Sequence, residues 1–232
     1  AQADESSQAM RRQRLALRAY TGFTPVDREY GKSGSEGQYK FSAASRTFVV
    51  DVQGRGVAQS AGLPDVSFRL PGDGGAEIIL EDFAVIDGDI LLVYYLEYPD
   101  GSAGELVRLD KDHFRVRWRR HISGSNIGKP FLYNGYVYLT CSGSIGKVDL
   151  RSGKYAWRYD DLNAQLGLNK FELPRMEKGK VIFTGEGVQQ PLNVQPIIVE
   201  IDDASGSLLR AYNAATQESM AYSTAAARGA LP

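Results

Sequence analysis

Val148-Asp149-Leu150-Arg151-Ser152-Gly153-Lys154-Tyr155-Ala156-Trp157 is the stretch whose reading decides the fold. Asp149 follows an apolar strand residue and opens a turn, its carboxylate accepting from turn amides, and Gly153 closes it. Trp157 then falls on the next strand, where it packs large apolar area against a neighbouring layer. The segment before it runs Pro130-Phe131-Leu132-Tyr133-Asn134-Gly135-Tyr136-Val137-Tyr138-Leu139, then Ile145 to Val148. A second copy runs from Phe83 through Asp87-Gly88 and Ile90-Leu91-Leu92, then Leu106 to Asp110, and ends at Trp118. A third runs from Pro174 through Lys178-Gly179, then Ile198 to Asp202 and Gly206, with Arg210 at the phase of the tryptophans. The X-Gly pairs at Gly88, Gly135 and Gly179 supply the positive φ of a two-residue hairpin turn. The intervals between Asp110, Asp149 and Asp202 are 39 and 53 residues, bracketing the length of a four-stranded propeller blade. Both tryptophans of the chain, Trp118 and Trp157, occupy this one phase.

These residues resemble the quinoprotein-alcohol-dehydrogenase-like (PQQ-like) propeller repeat, whose blades carry Leu-Asp-x-x-Thr-Gly-x-x-x-Trp. Here Ser152 stands for the Thr, Asp110-Lys111-Asp112-His113-Phe114 lacks the Gly, and the third copy lacks the Trp. The resemblance covers residues 83–213 and implies an all-β propeller of PQQ-like or WD40-like blades. It says almost nothing about chemistry. Relatives that use the quinone commonly have an adjacent-cysteine disulfide and a carboxylate-rich calcium site in a much larger ring. This chain has a single cysteine, so no cofactor, metal or catalytic residue is expected.

Outward from the repeats, strand-like segments begin at Thr47, and residues 47–81 read as a degenerate blade or as outer strands that close the ring. About four blades result, against seven or eight in most relatives. An open arc completed by a second copy of the chain is the other arrangement. Residues 5–20 read as a basic amphipathic helix with Arg11, Arg12, Arg14 and Arg18 mostly off its apolar face, packed over one end of the domain or docking on a membrane surface or partner. Gly31, Gly34 and Gly37 mark residues 21–45 as loop or linker. Ala-rich residues 214–228 read as a helix with Asn213 as N-cap and Gly229 as stop. The domains expected are therefore 1–45 helix and linker, 46–213 propeller (repeats 83–122, 130–162 and 174–213), and 214–232 helical tail.

Composition narrows the function classes. The net charge of -1 gives the chain no electrostatic reason to seek nucleic acid, and no apolar run approaches the ~20 residues that span a bilayer. Cys141, inside an apolar run, reads as a buried strand residue. The opening Ala1-Gln2-Ala3-Asp4-Glu5 reads as a mature N-terminus after signal-peptide removal, hence a periplasmic or secreted location.

The histidines, His113 and His121, read as a turn residue and a strand-end residue rather than metal ligands. Glu97 to Glu105 holds oxygen ligands but lacks the alternating acidic positions of a calcium loop. Gly124 to Pro130 resembles a phosphate loop with one residue too few between its glycines and Pro after Lys129. In register it is the loop before a blade, and Gly167-Leu168-Asn169-Lys170 is its counterpart before the next. Ser125, Asn126, Lys129, Asn169 and Lys170 are thereby candidates for a polar partner-binding rim. The function expected is a non-enzymatic protein-binding scaffold or accessory subunit in the cell envelope, its partner another protein. A propeller enzyme or ligand-binding protein with a central-channel site, and an inhibitor or immunity protein for a secreted toxin, are the alternatives.

Overall fold

The structure is a computed structural model and describes residues 2–30, 37–122, 127–189 and 193–223. The chain divides into two units, Ala1–Ile122 and Ser123–Pro232.

The first unit opens with helix α1 (Gln2–Thr21). Residues 8–16 are all exposed, including Met10 and Leu15, so over this length the helix buries none of its described side chains. Its anchors are the C-terminal end, where Thr21 and Phe23 are buried, and the ion pair of Arg14 with Asp27. Ten strands follow: β1 (Thr24–Pro25), β2 (Asp27–Tyr30), β3 (Gly37–Ala43), β4 (Arg46–Asp51), β5 (Arg55–Ser60), β6 (Leu63–Arg69), β7 (Glu77–Ile86), β8 (Asp89–Tyr98), β9 (Gly101–Leu109) and β10 (Val116–Ile122). They form two five-stranded antiparallel sheets, β2-β3-β4-β5-β6 and β1-β7-β8-β9-β10.

The expected linker over residues 21–45 is thus a correction: three strands lie in it. Tyr39, Phe41 and Ala43 of β3 point inward between exposed Gln38, Lys40 and Ser42, a half-buried strand by its period of two. Residues 77–81 are likewise corrected, since they begin β7 of the second sheet rather than ending the first.

The second unit holds β11 (Phe131–Tyr133), β12 (Tyr136–Cys141), β13 (Ser144–Asp149), β14 (Tyr155–Tyr159), helix α2 (Leu162–Leu166), β15 (Leu168–Phe171), β16 (Arg175–Glu177), β17 (Lys180–Gln189), β18 (Asn193–Asp202) and β19 (Leu208–Asn213). One sheet is β11-β12-β13-β14; in the other, β15 and β16 both pair with β17, followed by β18 and β19. The 53-residue interval follows from α2, the divided first strand, and the ten-residue β17 and β18.

Four antiparallel sheets, two in each unit, are the blades of a propeller fold. Their strands are termed A to D: β3 to β6, β7 to β10, β11 to β14, and β15/β16 to β19. All four A–B turns have both central residues at positive φ: Ala44-Ser45, Asp87-Gly88, Asn134-Gly135 and Lys178-Gly179. In the last three blades the C and D strands also share a bulge in one register, pairing Trp118 with Arg108, Trp157 with Lys147 and Arg210 with Glu200. The residue at the tryptophan phase therefore keeps its place even when it is Arg210. The B strands β8 and β12 are buried almost residue by residue, as inner strands covered on both faces must be. Cys141 is among those buried residues.

The helix expected over 214–228 is not formed over residues 214–223; residues 224–228 lie outside the described residues. Asn213 Oδ1 accepts from the amides of Ala215 and Thr216, the Asn213 N–H donates to the Glu218 carbonyl, and Gln217 takes φ +63. This repeats the turn that follows Asp110, Asp149 and Asp202. An N-cap and such a turn both begin with a side-chain oxygen accepting amides two or three residues on, so the same Asn suits either.

Candidate binding rim

In the second unit, the residues before β11, the B–C turn of β12 and β13, and the α2 segment after β14 meet at one end of the third blade. The Gly128 N–H donates to the Thr140 carbonyl (2.8 Å), tying the Lys129 loop to the end of β12. The Leu162 N–H donates to the Gly143 carbonyl (3.1 Å), tying α2 to the B–C turn. Asn163 Nδ2 then donates to the Leu168 carbonyl (3.0 Å) and to Asn169 Oδ1 (2.9 Å). Lys129 is half-buried, while Asn169 and Lys170 are exposed. The structure so brings Lys129 and the Asn169-Lys170 pair to one end of the blade, with the correction that Asn169 and Lys170 belong to strand β15 rather than to a loop; Ser125 and Asn126 lie outside the described residues.

The chain after Gln217 closes part of this end. The Tyr222 hydroxyl donates to Asp161 Oδ1 (2.7 Å), and the Ser223 N–H to Gln165 Oε1 (2.7 Å). Burial, with the hydrogen bond to Asp161 second, pushes the Tyr222 phenol up. Residues 222–223 are thus seated on α2.

In the first unit the corresponding end of the second blade carries a charged cluster that strand pairing assembles. Glu105, on β9, is fully buried and accepts two hydrogen bonds from Arg119 on β10 (2.8 Å each). His121 Nδ1 lies 3.0 Å from Glu105 Oε1, and the His121 side chain is exposed. Arg119 is 3.7 Å from Asp73, which accepts from the Tyr98 hydroxyl (2.9 Å). The Glu105 hydrogen bond, the larger effect, holds the Arg119 guanidinium above its usual range. A paired, buried carboxylate of this kind fixes an arginine and orients an imidazole toward solvent. In the sequence His121 reads as a strand-end residue and Glu105 only as the last oxygen ligand of an incomplete calcium loop; a lone carboxylate inside an apolar strand is the one sign of its buried pairing.

The arginines of α1 belong to a different end of their unit. Arg11, Arg12, Arg14 and Arg18 are exposed, and Arg14 and Arg18 lie toward the first blade's A–B and C–D turns. Hydrogen bonding to Asp27 raises the Arg14 pKa, and the same bond lowers that of Asp27.

The repeat residues sit where blades adjoin. Trp157 Nε1 donates to the Asp203 carbonyl (3.2 Å), Lys147 Nζ pairs with Asp203 Oδ1 (2.9 Å), and the Tyr138 hydroxyl donates to the same Oδ1 (2.6 Å). The Tyr159 hydroxyl donates to the Gly206 carbonyl (2.5 Å). Four side chains of the third blade therefore clasp the C–D turn of the fourth. In the first unit, Phe114 occupies the position of Gly153 and Gly206 at φ +56 and is buried against Phe48 and Phe68. The missing glycine changes the contact but keeps the turn.

A family model described as "Outer membrane protein assembly factor BamB" matches residues 41–230. The chain belongs to this PQQ-repeat, BamB-like family. No curated protein matches it. Solved structures similar to this BamB-like chain include a europium-containing methanol dehydrogenase (16% identity, TM-score 0.45, covering 58% of this chain and 25% of that one). The Dos1 propeller is another (11% identity, TM-score 0.46, 83% and 51% covered), as is the computationally designed Ika8 protein (11%, TM-score 0.43, 82% and 62%). The BamB-like chain spans less than two thirds of the length of each of these. Among the described residues no three His, Cys, Asp or Glu side chains are placed to hold a metal ion.

Proposed function

We propose that this BamB-like propeller is a non-enzymatic protein-binding scaffold or accessory subunit of the cell envelope, exported to the periplasm or secreted. The observation that carries the reading is the rim of the third blade. There Lys129 stands on the loop before β11, and Asn169 and Lys170 are exposed on strand β15, all held by backbone and side-chain hydrogen bonds, which presents polar groups without a large ordering cost on binding. The family's assembly-factor description and the PQQ-type blades favour the same class.

The test is capture from envelope extracts with tagged protein, comparing the native chain with a Lys129→Glu, Lys170→Glu double variant. We expect one protein retained at a defined ratio by the native chain and at least tenfold less by the variant, with the melting temperature unchanged. Equal retention by both, or none by either, would remove the rim from consideration. Fractionation of the source cells tests the location, and a cytoplasmic chain would overturn that part.

A further inference from the structure

We propose that a recess beneath α1, at the A–B end of the first blade, binds a small organic oxyanion. The recess has a volume of about 350 Å³, and Arg18, Arg46, Ser45, Ser60, Phe83 and Val85 are among the residues lining it. Arg18 and Arg46 both line it, and no carboxylate does among the described residues. Its volume exceeds the ~30 Å³ share of one water about tenfold and lies at the small end of ligand sites.

Three observations point to an anion there. First, Arg46 Nη1 is buried and has no hydrogen-bond acceptor among the described residues. A buried donor left unmet is costly, and an oxyanion bound against Arg46 would offer an acceptor of opposite charge once the guanidinium turns toward it. The Arg46 guanidinium carbon lies 5.6 Å from the centroid of Phe114, so the second blade's turn holds it in place. Secondly, Arg14 and Arg18 are four residues apart on one face of α1. The Arg14–Asp27 ion pair turns that face toward the blade and sets Arg18 over the recess.

The third observation is the hairpin turn at its edge. Ala44 and Ser45 take φ +47 and +63, where the equivalent turns of the other blades place glycine second. Non-glycine residues in this region are strained by about 1–2 kcal/mol each, and such strain gathers at ligand sites. The Ser60 hydroxyl donates to the Ser45 carbonyl (3.3 Å) and links the turn to the neighbouring hairpin. Phe83 and Val85 supply an apolar wall, which favours a ligand with a compact organic body behind its charged group.

Titration of the full chain with inorganic phosphate, phenyl phosphate and benzoate at constant ionic strength, followed calorimetrically, tests the site. Saturable one-to-one binding is expected, with phenyl phosphate at least fivefold tighter than inorganic phosphate. Whether phenyl phosphate or benzoate binds more tightly decides between a phosphate and a carboxylate ligand. Arg18→Gln, on an exposed helix position, should weaken binding at least tenfold, and Arg46→Gln should weaken it further. Arg12→Gln, away from the recess, should leave it unchanged. No saturable binding of any of the three probes, undiminished binding by Arg18→Gln, or an equal loss in Arg12→Gln overturns the proposal. The rim variant above does not touch this recess, so the two readings fail independently.

Discussion

A methyl group placed on Gly206 would lie 2.5 Å from Trp157 Cβ, and the backbone there has φ +73. Both penalties act at once: about 1 kcal/mol or more for a side chain in the left-handed region and about 2 kcal/mol for overpacking. Gly135 has the same kind of backbone, φ +79, but open space around the added carbon. Gly206→Ala should therefore lower stability by about 3 kcal/mol and Gly135→Ala by about 1 kcal/mol, as read from urea midpoints. Equal effects would show that turn geometry alone matters and that the clasp on Trp157 does not. Phe114 is the contrasting case: it bears the positive φ itself, and its ring is buried against Phe48 and Phe68.

At the scale of elements, α1 stands apart. Isolated helices of this length are marginal in water, and its only described ion pair to a strand joins two exposed side chains. Amides of residues 8–16 should exchange with solvent orders of magnitude faster than those of β8 and β12, whose residues are almost wholly buried. Comparable protection in α1, measured by native-state hydrogen exchange, would mean that something covers the helix in solution. The three later blades were legible in the sequence because their turns demand particular residues, Gly after the hairpin bend and Asp before the C–D loop. The first blade has neither signature: its bend is Ala44-Ser45, and its alternating β3 follows a Gly- and Ser-rich stretch that masks it. The rim segments could be aligned by register, although Asn169 and Lys170 prove to lie in strand β15. The Glu105–Arg119–His121 cluster could not, because it exists only through pairing of β9 with β10, across 14 and 16 residues of sequence.

For the whole molecule, the repeated turn sets the response to acid. The Ser152 amide and hydroxyl hold the Asp149 carboxyl below its usual range; at Asp202 the Ser205 hydroxyl and amide do the same. At Asp110 burial works the other way, but the amides of His113, Arg115 and Asp112 together outweigh it. A carboxylate whose pKa is lower in the folded than in the unfolded state contributes stability above the unfolded value, about 3.9, and loses it as pH falls through the folded value. One such turn lies in the first unit and two in the second, so both units should weaken below about pH 4. Melting temperatures between pH 6 and 2.5 should fall on this limb, and Asp149→Asn should fall less steeply while being less stable at neutral pH. A limb of unchanged slope in that variant would place the acid sensitivity elsewhere.

The placement of the two tryptophans has an optical consequence. Trp118 is half-exposed on β10 of the first unit, and Trp157 is buried on β14 of the second with its indole N–H bonded to a carbonyl. Each unit therefore contains one tryptophan, and with excitation selective for indole their emission maxima should differ, with Trp157 the bluer. Trp118→Phe and Trp157→Phe chains would let each half of the molecule be watched by its own light during denaturation.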